Sequence, residues 1–196
     1  MKFLKSFFLP ALLFITCAQL YAAPMHLSYK ATNRIATLTK VWGLMKYYHP
    51  EVAAGSINWD SVYVAYAPKV AEAKSKQEFQ GLMDEMYSLV PAPKLAAKYN
   101  LPEADTIVAV FSSDEITGYD VGPRLKQQLK DLYERHLAVE SKYITNKYKE
   151  YTLDYVRFLE KPMVEKAYPD KETRLLALAR YWNTINFFYP HKHTIG

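Results

Sequence analysis

Two stretches of this chain, 140 residues apart, follow one plan, and that repetition constrains the fold more than any other feature. Arg34, Leu38, Trp42 and Pro50 recur as Arg174, Leu178, Trp182 and Pro190. Similar residues fill other matched positions, such as Ile35 and Leu175, Lys40 and Arg180, Tyr47 and Phe187, His49 and Tyr189. Each stretch has an apolar stripe around a central tryptophan, then an aromatic cluster, then proline. In the first, Ile35, Leu38, Trp42, Met45 and Tyr48 step by threes and fours, which places them on one face of a helix. In the second, Leu175, Leu178, Trp182, Ile185 and Tyr189 do the same. Asn33 and Asp170 are candidate N-caps. Pro50 forces His49 out of helical geometry and ends the first helix, and Pro190 ends the second.

The chain between the two motifs reads mainly as helix. Gly55 to Asn58 is a turn, and Asp60 is a candidate cap for a helix with Val62, Tyr63, Tyr66 and Val70 inside. Ser75 and Glu78 form a Ser-x-x-Glu capping pair before Phe79, Leu82, Met83, Met86 and Tyr87. Pro91, Pro93 and Pro102 surround a connection. Thr106 to Phe111 is the best strand candidate, and a single strand must find a partner elsewhere. From Pro123, Leu125, Leu129, Leu132, His136 and Val139 keep helical period. Tyr143, Tyr148, Tyr151, Tyr155 and Phe158 extend it to about residue 160, with a break expected near Ala138 to Ser141. The expected fold is therefore mainly α: an irregular helical bundle with at most one or two short strands, in an incomplete domain. The expected division is 1–23 signal peptide, 24–160 helical N-terminal domain, and 161–196 the start of a second helical motif.

The N-terminus reads as an export signal. Lys2 and Lys5 precede an apolar run from Phe7 to Ala18, too short to span a bilayer, and small residues follow at Ala18, Ala22 and Ala23. Cleavage after Ala18 or Ala22 fits this order. Cys17 is the only cysteine. Lipid anchoring there is the lesser alternative, because Phe14, Ile15 and Thr16 fit a lipoprotein signal badly. If Cys17 leaves with the signal, disulfides, thiol catalysis and cysteine metal sites are excluded. The expected location is periplasmic or extracellular, with no stable membrane span.

Charge excludes one more class. The chain carries 25 basic and 20 acidic residues, spread along helices and interleaved, so nucleic-acid binding is not read from it. Seventeen tyrosines suit half-buried helix faces, where the ring packs and the hydroxyl stays wet.

The motif Lys-Val-Trp-Gly-Leu-Met-Lys-Tyr-Tyr-His-Pro (40–50), paired with Arg-Tyr-Trp-Asn-Thr-Ile-Asn-Phe-Phe-Tyr-Pro-His-Lys-His (180–193), resembles the N-terminal region of secreted bacterial serine peptidases of the S41 class. These are the C-terminal processing and tricorn-like peptidases. The resemblance spans roughly residues 30–196 and is specific at the two motifs. It implies a helical segment preceding a protease domain, with a lysine-assisted serine nucleophile and usually a PDZ-like module. The implied partners are that C-terminal protease domain and the protein or peptide substrate of the whole enzyme. Trp59-Asp60 follows Pro50 by nine residues, so a continuing echo would bring Trp-Asp about three residues past Gly196. The sequence is thus expected to stop inside its second motif.

No residue carries over as catalytic, and none is assigned to a cofactor or metal. Serine–lysine catalysis needs a hydroxyl beside a neutral lysine and an oxyanion hole. Ser112 and Ser113 precede Asp114 and Glu115 and read as a helix or turn cap, and Ser56 lies in a turn. His191, His193 and His49 end the two motifs and would suit zinc only if brought together; they read as loop residues beside aromatics. Asp114, Glu115 and Asp120 lack the spacing of a calcium loop and read as solvated. No glycine-rich phosphate loop is present, and the tyrosines from 143 to 155 read as a half-buried helix face. A second functional class stays open: a self-sufficient periplasmic helical module that binds a partner protein or the cell wall.

Overall fold

The computed structural model describes residues 27–97, 111–145, 156–162, 168–189 and 191–192. The proposed signal peptide, Cys17, residues 106–110 of the strand candidate Thr106 to Phe111, His193 and the tyrosines at 148, 151 and 155 lie outside them. The fold is mainly α. Helix α1 (Tyr29–Tyr48) runs through the centre and is followed by the single turn α2 (Pro50–Ala53), then α3 (Trp59–Glu72) and α4 (Lys76–Tyr87). A 3₁₀ turn at Ser113–Gly118 leads into α5 (Pro123–Arg135), and α6 (Lys171–Phe188) is the last helix among the described residues. Strands β1 (Ile144–Thr145) and β2 (Arg157–Phe158) form a short antiparallel ladder, Ile144 opposite Phe158.

Local chemistry sets the helix ends. Ser28, not Asn33, caps α1: its hydroxyl accepts from the Ala31 N–H at 3.2 Å, so the helix starts a turn earlier than the apolar stripe indicates. His49 is extended (φ −80°, ψ 120°), as the proline after it requires. Gly55, at φ 76°, makes the left-handed turn between α2 and α3. Asn58 caps α3 through the Ser61 N–H at 3.2 Å, which leaves Asp60 in the first turn, free to pair elsewhere. Ser75 caps α4 and Asp170 caps α6, as their sequences indicate.

Helix α5 ends at Arg135 instead of continuing toward residue 160. Its last turn is stitched to the segment after α4: Ala96 N–H donates to the Arg135 carbonyl at 2.8 Å, Arg135 Nε donates to the Ala96 carbonyl at 2.9 Å, and His136 bridges to Leu95. The chain beyond is rich in β-branched and aromatic residues, and Tyr143–Thr145 pairs with 157–159 as strand.

Equivalent positions of the two sequence motifs meet across α1 and α6. Gly43 faces its counterpart Asn183 so closely that a Cβ at Gly43 would land on the Asn183 amide. Asn183 Nδ2 donates to the Thr39 carbonyl at 3.0 Å and to the Ala179 carbonyl at 2.8 Å, themselves matched positions. Tyr47 packs on Phe187 and Phe188, and Tyr48 packs reciprocally on Phe187. Thr39 meets Asn183 and Tyr47 meets Phe187, so the two helices run in the same sense about a local pseudo-twofold. The buried face of α6 is therefore Leu176, Ala179, Asn183, Asn186 and Phe187. Most of the expected stripe lies elsewhere: Leu178 is 60 % and Trp182 41 % exposed. Close approach at Gly43 decides this, because the smallest position on α1 draws in the polar face of α6 rather than the apolar one.

Gly43→Ala tests that contact. The methyl forces Asn183 away and strips two hydrogen bonds from buried carbonyls, so a loss of about 2–4 kcal/mol is expected. Chemical denaturation of both proteins measures it, and a loss within about 0.5 kcal/mol, the scatter of ordinary surface changes, would contradict the close contact.

Candidate functional site

The densest chemistry lies where α1, α3, α6 and the segment after β2 converge. Lys46, on the last turn of α1, is completely buried. Its Nζ lies 3.2 Å from Asp60 Oδ1 and 2.9 Å from Glu160 Oε1. Arg180 on α6 closes the group: Nη2 pairs with Asp60 Oδ2, Nε sits 2.9 Å from Glu160 Oε2, and Nη1 donates to the Lys161 carbonyl at 3.0 Å. Two cations thus face two carboxylates in a closed ring. The Lys46 ammonium also lies over the Trp42 and Tyr143 rings, 4.5 and 4.6 Å from their centroids. Such aromatic faces favour a cation that has lost its water.

The ring is a neutral group of paired ions, which suits a brace between helices. Burial pushes the Asp60 carboxyl up, but the Arg180 hydrogen bond and the Lys46 and Arg180 charges outweigh it and hold its pKa below the ordinary value. Burial, and then the Glu160 carboxylate, keep the Tyr47 hydroxyl protonated far above its usual range. Tyr143, beside the same carboxylates, is pushed up to about 12, first by burial and then by Asp60 and Glu160.

Stability therefore depends on pH with a definite sign. Asp60 titrates lower folded than unfolded, so its contribution is complete above the unfolded carboxylate pKa of about 4 and is lost as pH falls through the folded value. Asp60→Asn is expected to flatten the fall in unfolding free energy between about pH 5 and pH 2. Equal slopes for both proteins in urea titrations across that range would remove Asp60 from the account.

Beneath the ring, two tryptophans clasp each other. Trp42 Nε1 donates to the Trp59 carbonyl at 2.8 Å, and Trp59 Nε1 donates to the Trp42 carbonyl at 2.9 Å. Both are fully buried, and Trp42 meets Tyr63 edge-on. Beside the ring a groove of about 370 Å³ opens between Tyr47, Tyr48, Phe188 and the segment from His136 to Ser141. Its one serine, Ser141, accepts hydrogen bonds from the Tyr143 and Ile144 N–H groups and so serves as a turn cap.

The residues weighed from sequence are scattered. Ser56 donates to Glu51 at 2.9 Å, Ser113 donates to Glu134 at 2.7 Å, and Ser112 caps the 3₁₀ turn with Glu115 in a reciprocal capping box. Glu115 pairs with Lys192 at 2.7 Å and Asp120 with Lys76 at 2.6 Å. His49 is fully buried beside Tyr87, and burial lowers its pKa against the pull of Glu51 and the Pro91 backbone. His191 meets Tyr189 edge-on, with ring centroids 6.0 Å apart. Among the described residues, no three His, Cys, Asp or Glu side chains group to hold a metal, and no helix is long and apolar enough to cross a membrane. The ionic ring itself has no sequence signature, because Asp60 and Glu160 are ordinary acidic residues until the fold brings them to Lys46.

Residues 38–88 match the family model described as the Tricorn protease C1 domain. The matched span covers about a quarter of the chain, from the middle of α1 to the end of α4. This C1-like stretch holds the tryptophan clasp and two members of the ring, Lys46 and Asp60. Glu160 and Arg180 reach it from outside. The match links the chain to tricorn-like peptidases. No curated protein and no solved structure matches it.

Proposed function

We propose that this chain is the non-catalytic, N-terminal helical portion of an exported serine peptidase of the tricorn-like S41 class. The C1 match at residues 38–88 carries that reading. The geometry supports a scaffolding role: the functional-looking charges neutralise one another in a buried brace, and Ser141, the serine of the adjacent groove, caps a turn. Proteolysis then belongs to a protease domain outside the described residues, with proteins or peptides as substrate. The positive start at Lys2 and Lys5 and the short apolar run after it support export.

The test uses the native protein. Immunoprecipitated from its source with an antibody to α5, the polypeptide should bring down a serine labelled by a fluorophosphonate probe, in the same chain or a tight partner, outside residues 27–192. Its mature N-terminus should follow Ala18 or Ala22. Labelling within 27–192 would overturn the non-catalytic role, and the absence of any labelled species would overturn the peptidase reading.

A further inference from the structure

His49 occupies the corner where α1 turns into α2, and its backbone ties the two together. Its N–H donates to the Met45 carbonyl at 3.0 Å, and its carbonyl accepts from the Ala53 N–H at 2.8 Å. The side chain is completely buried and meets Tyr87 of α4 edge-on, with ring centroids 6.2 Å apart. Neither ring nitrogen has a hydrogen-bond partner among the described residues. The Pro91 backbone lies close enough to favour a proton on the ring, but without the alignment of a hydrogen bond. A neutral imidazole can occupy such a pocket. A charged one cannot do so cheaply, because a buried cation needs a partner. The cover at Pro91 is also thin. Helix α4 ends at Tyr87, and residues 91–94 lie outside helix and strand. Pro91 and Pro93 have no N–H to donate, so this strap has few hydrogen bonds to lose. It is tied down again just beyond, where Leu95 bridges to His136 and the Ala96 N–H donates to the Arg135 carbonyl.

We propose that His49 is a pH-operated latch: in acid its ring takes up a proton, leaves the pocket toward Glu51, and releases residues 91–94 from the corner between α1 and α2. Each neighbouring ionisable group fits that role. Glu51, on α2, is exposed and accepts from the Ser56 hydroxyl at 2.9 Å, so its charge attracts an imidazolium that has swung out rather than one that stays buried. Tyr87, on α4, is kept protonated by burial and then by Asp131 of α5, and offers the ring no negative charge. Lys46, one turn back on α1, is held by Asp60 and Glu160. His136, at the far end of the strap, is half-buried, and its Nδ1 lies 2.9 Å from the Tyr133 carbonyl. The direction of the switch follows from burial, which holds the folded His49 pKa below its ordinary value of 6.5. The opened form therefore binds the proton and the closed form does not. Closure is complete above about pH 6.5 and weakens as pH falls, by up to about tenfold per pH unit until the closed ring itself titrates. The latch stands whether or not the peptidase reading holds.

Hydrogen exchange of the full chain tests the latch, read by mass spectrometry at about pH 7.5 and about pH 5 and normalised to the exchange of unstructured peptide at each pH. Peptides covering residues 88–97 should be open at least about tenfold more at the lower pH, while those from α3 hold constant. His49→Gln and His49→Phe carry no charge at either pH, and each should abolish the response. His136→Gln should keep it. If neither His49 variant folds, the unaltered chain still decides the matter: the His49 ring, followed by NMR, should titrate over the same pH range in which 88–97 opens. Equal protection at both pH values would overturn the proposal. So would a response that survives His49→Phe or disappears in His136→Gln, and so would a His49 ring that titrates while 88–97 stays closed.

Discussion

Trp59→Ala is expected to lower the unfolding free energy by about 3–5 kcal/mol, enough to unfold much of a domain whose whole stability is typically about 5–15 kcal/mol. Three losses coincide. The indole is completely buried against α1, so its removal leaves a cavity that a helix locked on both sides collapses into poorly. Its N–H no longer satisfies the Trp42 carbonyl. The start of α3, which receives the Trp42 N–H, loses the ring that positions it. Trp59→Phe separates these effects: most of the ring stays and the hydrogen bond goes, at an expected loss of about 1–3 kcal/mol. Urea unfolding followed by circular dichroism reads both. An alanine variant within about 1 kcal/mol of the parent would show that the clasp is incidental to the fold.

Lys46→Met should cost a similar amount, about 3–5 kcal/mol, for a different reason. Methionine fills most of the lysine's volume, so little cavity forms. What remains is an electrostatic fault: Asp60 and Glu160 then share Arg180 alone, and each carboxylate is at most a quarter exposed. Removing the second charge should repair it. In the double variant with Glu160→Gln, Asp60 keeps Arg180 and the ring is neutral again. The double variant should be more stable than Lys46→Met by about 1–3 kcal/mol, a coupling a double-mutant cycle isolates. Strictly additive effects would mean that the ring is four independent contacts.

The α-class and the helix positions were legible because they rest on local signals: prolines at 50 and 91, caps at Ser75 and Asp170, and the stripe from Ile35 to Met45. The errors have physical causes too. A stripe of apolar residues marks a face that benefits from cover, and on α6 the described structure leaves much of that face open. The face α6 does bury has Asn183 and Asn186 in it, polar residues whose place depends on the missing side chain at Gly43, a hundred and forty positions away. Lys46 gives no hint of burial, since its partner Glu160 is brought to it only by the fold. Tyr143 to Phe158 kept enough helical period to pass for a rod, but part of it forms strands, where β-branched and aromatic side chains sit equally well.

The long reach between Gly43 and Asn183 also orders events in time. Helices α1, α3 and α4 are neighbours in sequence, joined by short turns, and their mutual contacts close small loops. Docking α6 closes a loop of more than a hundred residues, and the entropy of closure grows with loop length. The N-terminal helices should therefore assemble early and α6 arrive late, anchored by Arg180 and the Asn183 amide. In the folded protein the same hierarchy becomes a gradient of local opening. Amide hydrogens of α6 should exchange with deuterium sooner than those of α1 and α3, so the helix that completes the core is also the first to let it breathe.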